Sequence, residues 1–306
     1  MRRRDFFRNT GVLTCACAFF AGCKKDNYAD YDETTTSYIT KHIPGWLTHV
    51  EILITHHCNL NCACCAHCAP IAPYYNVSVE IFKKDIIQLH KLTNGKIKEI
   101  MLHGGEPLLN KNIETFIELT RKYFSKSELY IVTNGLILND MPDSFWKTCS
   151  ENNVIIWQSL YALYDKYPNL EQSYKKALKY KVRITPWAKY MFTSLNLNKD
   201  IINNKEKAYK KCRYKENFST LNNGILYPCG IIATYDLFFN KYFKDHAIPI
   251  AKDDYLDIHK LKSINEIFEF YKKPKLTCAH CDYKRKEKKI WQLSKKELSE
   301  WYNVNI

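Results

Sequence analysis

Between residues 46 and 187 the hydrophobic pattern switches repeatedly between a strand-like and a helical period. His49–Thr55, Ile97–Leu102, Glu128–Thr133, Val154–Ser159 and Lys181–Trp187 are short apolar, β-rich runs. Ser78–Leu92, Asn112–Phe124, Pro142–Asn152 and Leu170–Tyr180 lie between them with apolar residues at helical spacing, and Ser78 stands where an N-cap is wanted. Five such repeats predict an α/β fold with a parallel sheet, either open and doubly wound or closed into part of a barrel. In both, ligands sit beyond the carboxyl ends of the strands. The distinctive residues fall there: Cys58–Cys65 after the first strand, Gly104–Pro107 after the second, Asn134 and Gly135 after the third, and Ser159 at the end of the fourth. Beyond about Lys189 the pieces become shorter and turn-rich. They hold Cys212, Cys229, Cys278 and Cys281, with closing helices expected around Ser263–Lys272 and Ser294–Asn303. This region is expected to be a second, smaller unit.

Composition supports a folded protein: among 306 residues, 25% are charged and 14% aromatic, too apolar for disorder. The net charge of +14 raises nucleic acid as a partner, but the positives are scattered apart from Lys284, Arg285, Lys286, Lys288 and Lys289. One such run is the signature of a solvated face, so no nucleic-acid partner is expected. The thirteen cysteines are more telling. Cys58, Cys62, Cys64, Cys65 and Cys68 are too crowded for a disulfide framework and suit a metal centre.

Thiolates separated by three and then two residues, as at Cys58, Cys62 and Cys65, can hold three corners of a [4Fe-4S] cubane from one loop and leave one iron open. Spacing alone leaves Cys64 and Cys68 as competitors, because Cys65 and Cys68 also form a two-residue pair. Only the first set gives the three-then-two pattern directly after a strand. Cys64, Cys68, Cys149, Cys15 and Cys17 are then structural or incidental. The later set, Cys212, Cys229, Cys278 and Cys281, has the number of thiols that saturates a second cluster, and a spacing that zinc also accepts. Glu106 puts a carboxylate inside a Gly-Gly-x-Pro turn, where a cation is its natural partner. His56, His57, His67, His103 and His280 read as polar loop residues beside these motifs, and Tyr161, Trp187 and Tyr190 as packing aromatics that also have the placement to line a cavity.

The stretch His57–Cys65 resembles the signature loop of the radical S-adenosylmethionine (SAM) superfamily. His103-Gly104-Gly105-Glu106-Pro107-Leu108-Leu109 is similar to the family's GGEP motif, Thr133-Asn134-Gly135 to its third-strand TNG element, and Ser159-Leu160 to its fourth-strand serine. The resemblance implies a partial (β/α)6, TIM-like barrel and a SAM-binding [4Fe-4S] cluster on Cys58, Cys62 and Cys65. It also implies S-adenosyl-L-methionine held by Gly104, Gly105, Glu106, Pro107, Asn134 and Ser159. The family's usual aromatic residue before the third cysteine is Cys64 here. Cys212, Leu221–Cys229 and Cys278-Ala279-His280-Cys281 resemble the SPASM extension in its shorter twitch form, which implies a smaller cysteine-rich auxiliary domain with a second [4Fe-4S] cluster.

The chain then divides into an N-terminal signal-like segment at 1–23, a polar linker at 24–45, a radical SAM core at 46–190 and an auxiliary domain at 191–306. The implied activity is reductive cleavage of SAM to a 5′-deoxyadenosyl radical that takes hydrogen from a substrate, fed by a low-potential donor such as flavodoxin or ferredoxin. Over 46–302 the chain resembles twitch-containing bacterial proteins found beside surface-polysaccharide genes, which points to a sugar or sugar nucleotide. A peptide substrate is the competing expectation, and a non-catalytic zinc or electron-transfer protein is the alternative of another class.

Arg2, Arg3 and Arg4, followed by an apolar stretch from Gly11 to Gly22, resemble a twin-arginine export signal, and Phe20-Ala21-Gly22-Cys23 resembles a lipoprotein cleavage site. Lipidation of Cys23 would anchor the protein at the cell envelope. The apolar stretch is about half of the ~20 residues a spanning helix needs, and SAM and low-potential reductant are cytosolic, so the signal favours the envelope and the chemistry the cytoplasm.

Overall fold

The computed structural model describes residues 43–161, 170–189, 191–193, 198, 200–212, 215, 218–243, 251–281 and 288–301. The signal-like segment with Cys15, Cys17 and Cys23, the residues Lys284, Arg285 and Lys286, and Tyr190 lie outside the described residues. Among the described residues, no helix is long and apolar enough to cross a membrane.

The five predicted strands and the four helices between them are present. The strands are β1 (Leu47–Thr55), β2 (Ile97–Gly104), β3 (Glu128–Thr133), β4 (Val154–Tyr161) and β5 (Arg183–Lys189); the helices between them are α1 (Val79–Thr93), α2 (Ile113–Tyr123), α3 (Asp143–Glu151) and α4 (Leu170–Tyr180). Ser78 caps α1 as expected, its Oγ accepting from the Ile81 N–H at 3.3 Å. β5 starts two residues later than predicted because Lys181, just past α4, takes a left-handed conformation with φ 58°. Side chains alternate across each strand. Val50, Ile52 and Ile54, with Ile100, Leu102, Leu129, Ile131, Val154 and Ile156, face Phe82, Phe116, Phe145 and Trp146 of the helices in one core. Their neighbours in sequence, Glu51, Met101, His103 and Trp157 among them, face the other side.

The sheet runs β5-β4-β3-β2-β1-β7-β8-β9. β7 (Ser219–Asn222) lies parallel to β1, while β8 (Ile225–Tyr227) and β9 (Leu256–Asp257) continue antiparallel. Six parallel strands make this the partial-barrel α/β fold, but the sixth joins beside β1, from the later part of the chain, and not beyond β5. After β5 the chain enters β6 (Met191–Thr193), which pairs antiparallel with β10 (Lys288–Ile290) in a separate ribbon. Leu221 and Leu226 tie the added strands to the main core. Four further helices, α5 (Lys205–Lys211), α6 (Gly230–Ala233), α7 (Tyr235–Tyr242) and α8 (Ile264–Tyr271), belong to this later region.

The closing helix expected at Ser294–Asn303 does not form: its described part holds only a 3-10 turn at Leu298–Glu300. Leu293 bridges Cys62 in extended conformation and the Ser294 N–H donates to the Asn61 carbonyl at 2.9 Å. Past Ser294, Lys296 takes a left-handed φ of 61° and the Glu300 carboxylate collects the Lys295 and Glu297 N–H groups, so the chain turns where a helix would continue.

Candidate cluster and cofactor site

β1 ends at Thr55, and the chain turns into the cysteine loop against the glycine turn that ends β2. The Gly105 N–H donates to the Thr55 carbonyl at 3.0 Å and the Glu106 N–H to the His57 carbonyl at 2.9 Å. Only glycine allows this approach. A Cβ on Gly104 would stand 2.1 Å from the Thr55 carbonyl oxygen, and one on Gly105 would stand 2.0 Å from that of His57. Gly104 also has φ +140°, a conformation side chains disfavour.

Cys58, Cys62 and Cys65 share one small apolar cluster with Leu60, Leu136, Tyr161, Phe192 and Trp291. The Leu60 N–H and the Asn134 Nδ2 point at the Cys58 sulfur at 3.3 and 3.5 Å, and the Trp291 Nε1 donates to the Cys62 sulfur at 3.2 Å. Such donors favour thiolates. Burial, reinforced by the charges of Glu106, Cys65 and Cys62, pushes the Cys58 thiol far above its ordinary value. A thiolate there therefore needs an adjacent cation, which is what cluster iron provides. Tyr161 is also held well above the ordinary phenol range, first by burial and then by the three cysteines.

The two competing cysteines are engaged elsewhere. Both have left-handed φ values, 58° at Cys64 and 52° at Cys68. The Cys64 Sγ donates to the Glu300 carbonyl at 2.6 Å. Cys68 is buried in a separate cluster with Tyr235, Phe238, Phe239 and Trp301. Cys149 is buried in the main core.

Glu106 is wholly buried. It receives the Thr133 hydroxyl at 2.6 Å and the Leu108 N–H at 3.1 Å on Oε1, and the Asn134 N–H at 2.8 Å on Oε2. Its carboxylate thus ties the β2 turn to the β3 turn, a role that motif reading alone did not give it. Burial pushes its carboxyl up to about 7 against these three donors. Pro107 opens the short turn that follows and is buried. Asn134 is turned to the cysteine loop, its Nδ2 donating to Asn59 Oδ1 at 2.8 Å and its Oδ1 accepting from the Leu136 N–H at 2.9 Å. Ser159 is buried on β4 and hydrogen-bonds Tyr161.

The histidines divide. His57 bonds the Thr55 hydroxyl at 3.0 Å and stacks on Tyr74, His56 bonds Asn222 at 3.3 Å, and His280 bonds the Asn198 carbonyl at 3.1 Å. These are loop-fastening contacts. His67 and His103 instead meet Glu51, an inward residue of β1, with ligand atoms of all three within 4.8 Å of one another. The Thr220 hydroxyl donates to Glu51 at 3.3 Å. The Gly104 N–H donates to His103 Nδ1 at 2.7 Å. A neutral imidazole that accepts at Nδ1 carries its hydrogen on Nε2, so His103 offers this group a donor and not a metal-binding lone pair. Trp157 and Trp187 stand on the same face of β4 and β5 with ring centroids 5.4 Å apart. Glu51 and Trp157 are additions to the residues singled out from motifs. A charged residue in mid-strand among inward positions is the signal that would have marked Glu51.

Cys212 caps the C-terminus of α5, Cys229 precedes α6, Cys278 lies within the 3-10 helix Leu276–His280, and Cys281 follows it. The thiols gather: Cys229 and Cys278 are pushed up first by burial, Cys229 also by Cys212, Cys278 and Cys281, and Cys278 to about 11. Lys275, itself buried, is within electrostatic reach of Cys278 and is lowered to about 8 by burial. Among the described residues, the one His/Cys/Asp/Glu group with three ligand atoms within 4.8 Å is that of Glu51.

Residues 52–178 match the family model of the Radical SAM superfamily. The GTP 3′,8-cyclase of Campylobacter jejuni subsp. doylei is 30% identical over 94 residues, covering 31% of this chain and 29% of that enzyme. The Helicobacter pylori (strain HPAG1) protein of the same name is 24% identical over 147 residues, 44% of this chain and 46% of its own. The chain thus spans less than half the length of these curated relatives. Among solved structures, BtrN in complex with AdoMet and 2-DOIA is 17% identical over 77% of this chain and 93% of that one, with a TM-score of 0.48. Native anSMEcpe with bound AdoMet is 16% identical over 73% and 83%, also at 0.48. Residues 52–178 of this chain are a radical SAM superfamily enzyme domain.

Proposed function

We propose that this protein binds a [4Fe-4S] cluster through Cys58, Cys62 and Cys65, holds S-adenosyl-L-methionine on the same rim, and abstracts hydrogen from a small polyhydroxylated molecule such as a sugar or sugar nucleotide. The observation that carries this reading is the convergence of three thiols in one apolar cluster, with N–H donors aimed at two of their sulfurs, on the Gly104–Pro107 turn. When bound, the cluster and SAM supply one-electron cleavage to a deoxyadenosyl radical. The chain's contribution is placement. Gly104 and Gly105 bring the β2 turn onto the cysteine loop, Glu106 locks that turn to Asn134, and Tyr161, Phe192 and Trp291 keep water from the thiols. A low-potential protein donor such as flavodoxin or ferredoxin completes the scheme.

Cys212, Cys229, Cys278 and Cys281 are the ligands of a second, saturated [4Fe-4S] cluster in this reading. The closeness of the four thiols, with Cys212, Cys278 and Cys281 all acting on Cys229, and the buried Lys275 cation beside Cys278 support it. The small-molecule preference rests on the inward face of the sheet. Glu51 offers acceptors, His103 a ring donor, and Trp157 and Trp187 apolar ring faces, a combination suited to hydroxyl groups and the C–H faces of a sugar ring. Incubating the anaerobically reconstituted protein with deuterated sugars, sugar nucleotides and peptides, and reading label in 5′-deoxyadenosine, tests this. Label from a sugar or sugar nucleotide is expected. Label from a peptide alone would overturn the substrate reading.

A further inference from the structure

We propose that Trp291 sets the reduction potential of the cluster held by Cys58, Cys62 and Cys65 by donating its indole N–H to the Cys62 sulfur. The inference rests on the cluster reading above. Sequence separation hides this contact, because donor and acceptor stand 229 positions apart in the chain, and the geometry is specific. The Nε1–Sγ distance is 3.2 Å. The indole is fixed by the backbone around it: the Ala63 N–H donates to the Gln292 carbonyl at 3.0 Å, the Ser294 N–H to the Asn61 carbonyl at 2.9 Å, and Leu293 bridges Cys62. Trp291 is 9% exposed and packs on Leu60 and Tyr161, the latter at 6.0 Å between centroids. In such a water-poor setting a donor to a charged acceptor is strong.

The segment also answers the departure noted in the cysteine motif. Where the family's usual aromatic precedes the third cysteine, this chain has Cys64, whose sulfur is engaged by the Glu300 carbonyl. Trp291 brings an aromatic ring to the thiols from the end of the chain instead. Trp301 contacts the same loop differently, its Nε1 donating to the Cys65 carbonyl at 3.0 Å and not to sulfur. The reduced cluster carries one more negative charge, part of it on sulfur, so a hydrogen bond to sulfur stabilises the reduced form more than the oxidised form. Trp291 is therefore a tuning residue that makes the cluster easier to reduce.

The test is an EPR-monitored redox titration of the full reconstituted protein with SAM present, following the signal that SAM addition alters. W291F, which keeps an apolar ring and removes the N–H, is expected to move that midpoint to more negative potential. W301F is expected to lower folding stability while leaving the midpoint at the wild-type value. W291H, which keeps a ring N–H, should restore the potential at least in part. An unchanged or raised midpoint in W291F, equal shifts in W291F and W301F, or equal shifts in W291F and W291H would overturn the proposal. A wild-type protein that shows no cubane signal would overturn the underlying cluster reading along with it, a result distinct from all of these.

Discussion

Substitution of Gly105 by alanine isolates the closeness of the two loops from every other property of the turn. Gly105 has no positive φ, so the substitution adds no backbone strain of its own, only a methyl group. That Cβ would stand 2.0 Å from the His57 carbonyl oxygen, 2.4 Å from the His57 carbonyl carbon and 2.8 Å from the His56 carbonyl oxygen. Ordinary contact begins near 3.4 Å, so the cysteine loop must withdraw by roughly 1.4 Å, the difference between 3.4 and 2.0 Å. A shift of that size breaks the Gly105–Thr55 and Glu106–His57 hydrogen bonds. Each is worth about 1 kcal/mol net, and up to about 3 kcal/mol if its groups stay buried and unpaired. The expected loss is therefore about 2–6 kcal/mol, with Cys58 displaced next to His57. Urea unfolding of the metal-free protein and iron content after reconstitution measure the two effects. G105A protein with wild-type stability and full iron would refute the packing argument.

Glu106 predicts a pH dependence for the metal-free protein. Its folded value is near 7 against an ordinary 4.5, so the folded state binds the extra proton between those values and stability falls as pH rises through the window. The contribution is on the order of 3 kcal/mol. E106Q should flatten that slope, seen as a smaller difference in unfolding free energy between pH 4.5 and 7.5. C58A, C62A and C65A should each abolish SAM cleavage and lower iron from about eight to about four per chain, whereas C212A should lose a similar share of iron and keep part of the cleavage. W187A should raise KM for the hydrogen-donating substrate about 2- to 10-fold, the worth of one aromatic contact, while cleavage of SAM without substrate is unchanged.

The strands and helices up to Lys189 were legible because each buries one face, and a period of two or of 3.6 records that directly. The placement of the sixth parallel strand was not. Ser219–Asn222 is too short to reveal its partner, and pairing with β1 depends on a contact 169 residues away in sequence. The cysteine loop, the glycine turn and Asn134 were legible as motifs, but what Glu106 does was not: the sequence shows a carboxylate in a turn, and its partners come from β3. The stretch from Ser294 misled for a related reason, since its turns follow from the Ser294 pairing with Asn61 and from Glu300 gathering the Lys295 and Glu297 N–H groups, and not from local propensity. Trp291 and Trp301 carry no local signature of contact with a cysteine loop. The polar group of Glu51, His67 and His103 was half visible, as two histidines near motifs and a charge inside an apolar strand.

The central claim is that Cys58, Cys62 and Cys65 hold a cluster competent for SAM cleavage. Its most direct test is dithionite-dependent formation of 5′-deoxyadenosine by the anaerobically reconstituted protein, with metal content determined on the same sample. About eight irons per chain and product formation that disappears in C62A are predicted. Bound zinc in place of iron, with no 5′-deoxyadenosine formed, would contradict it.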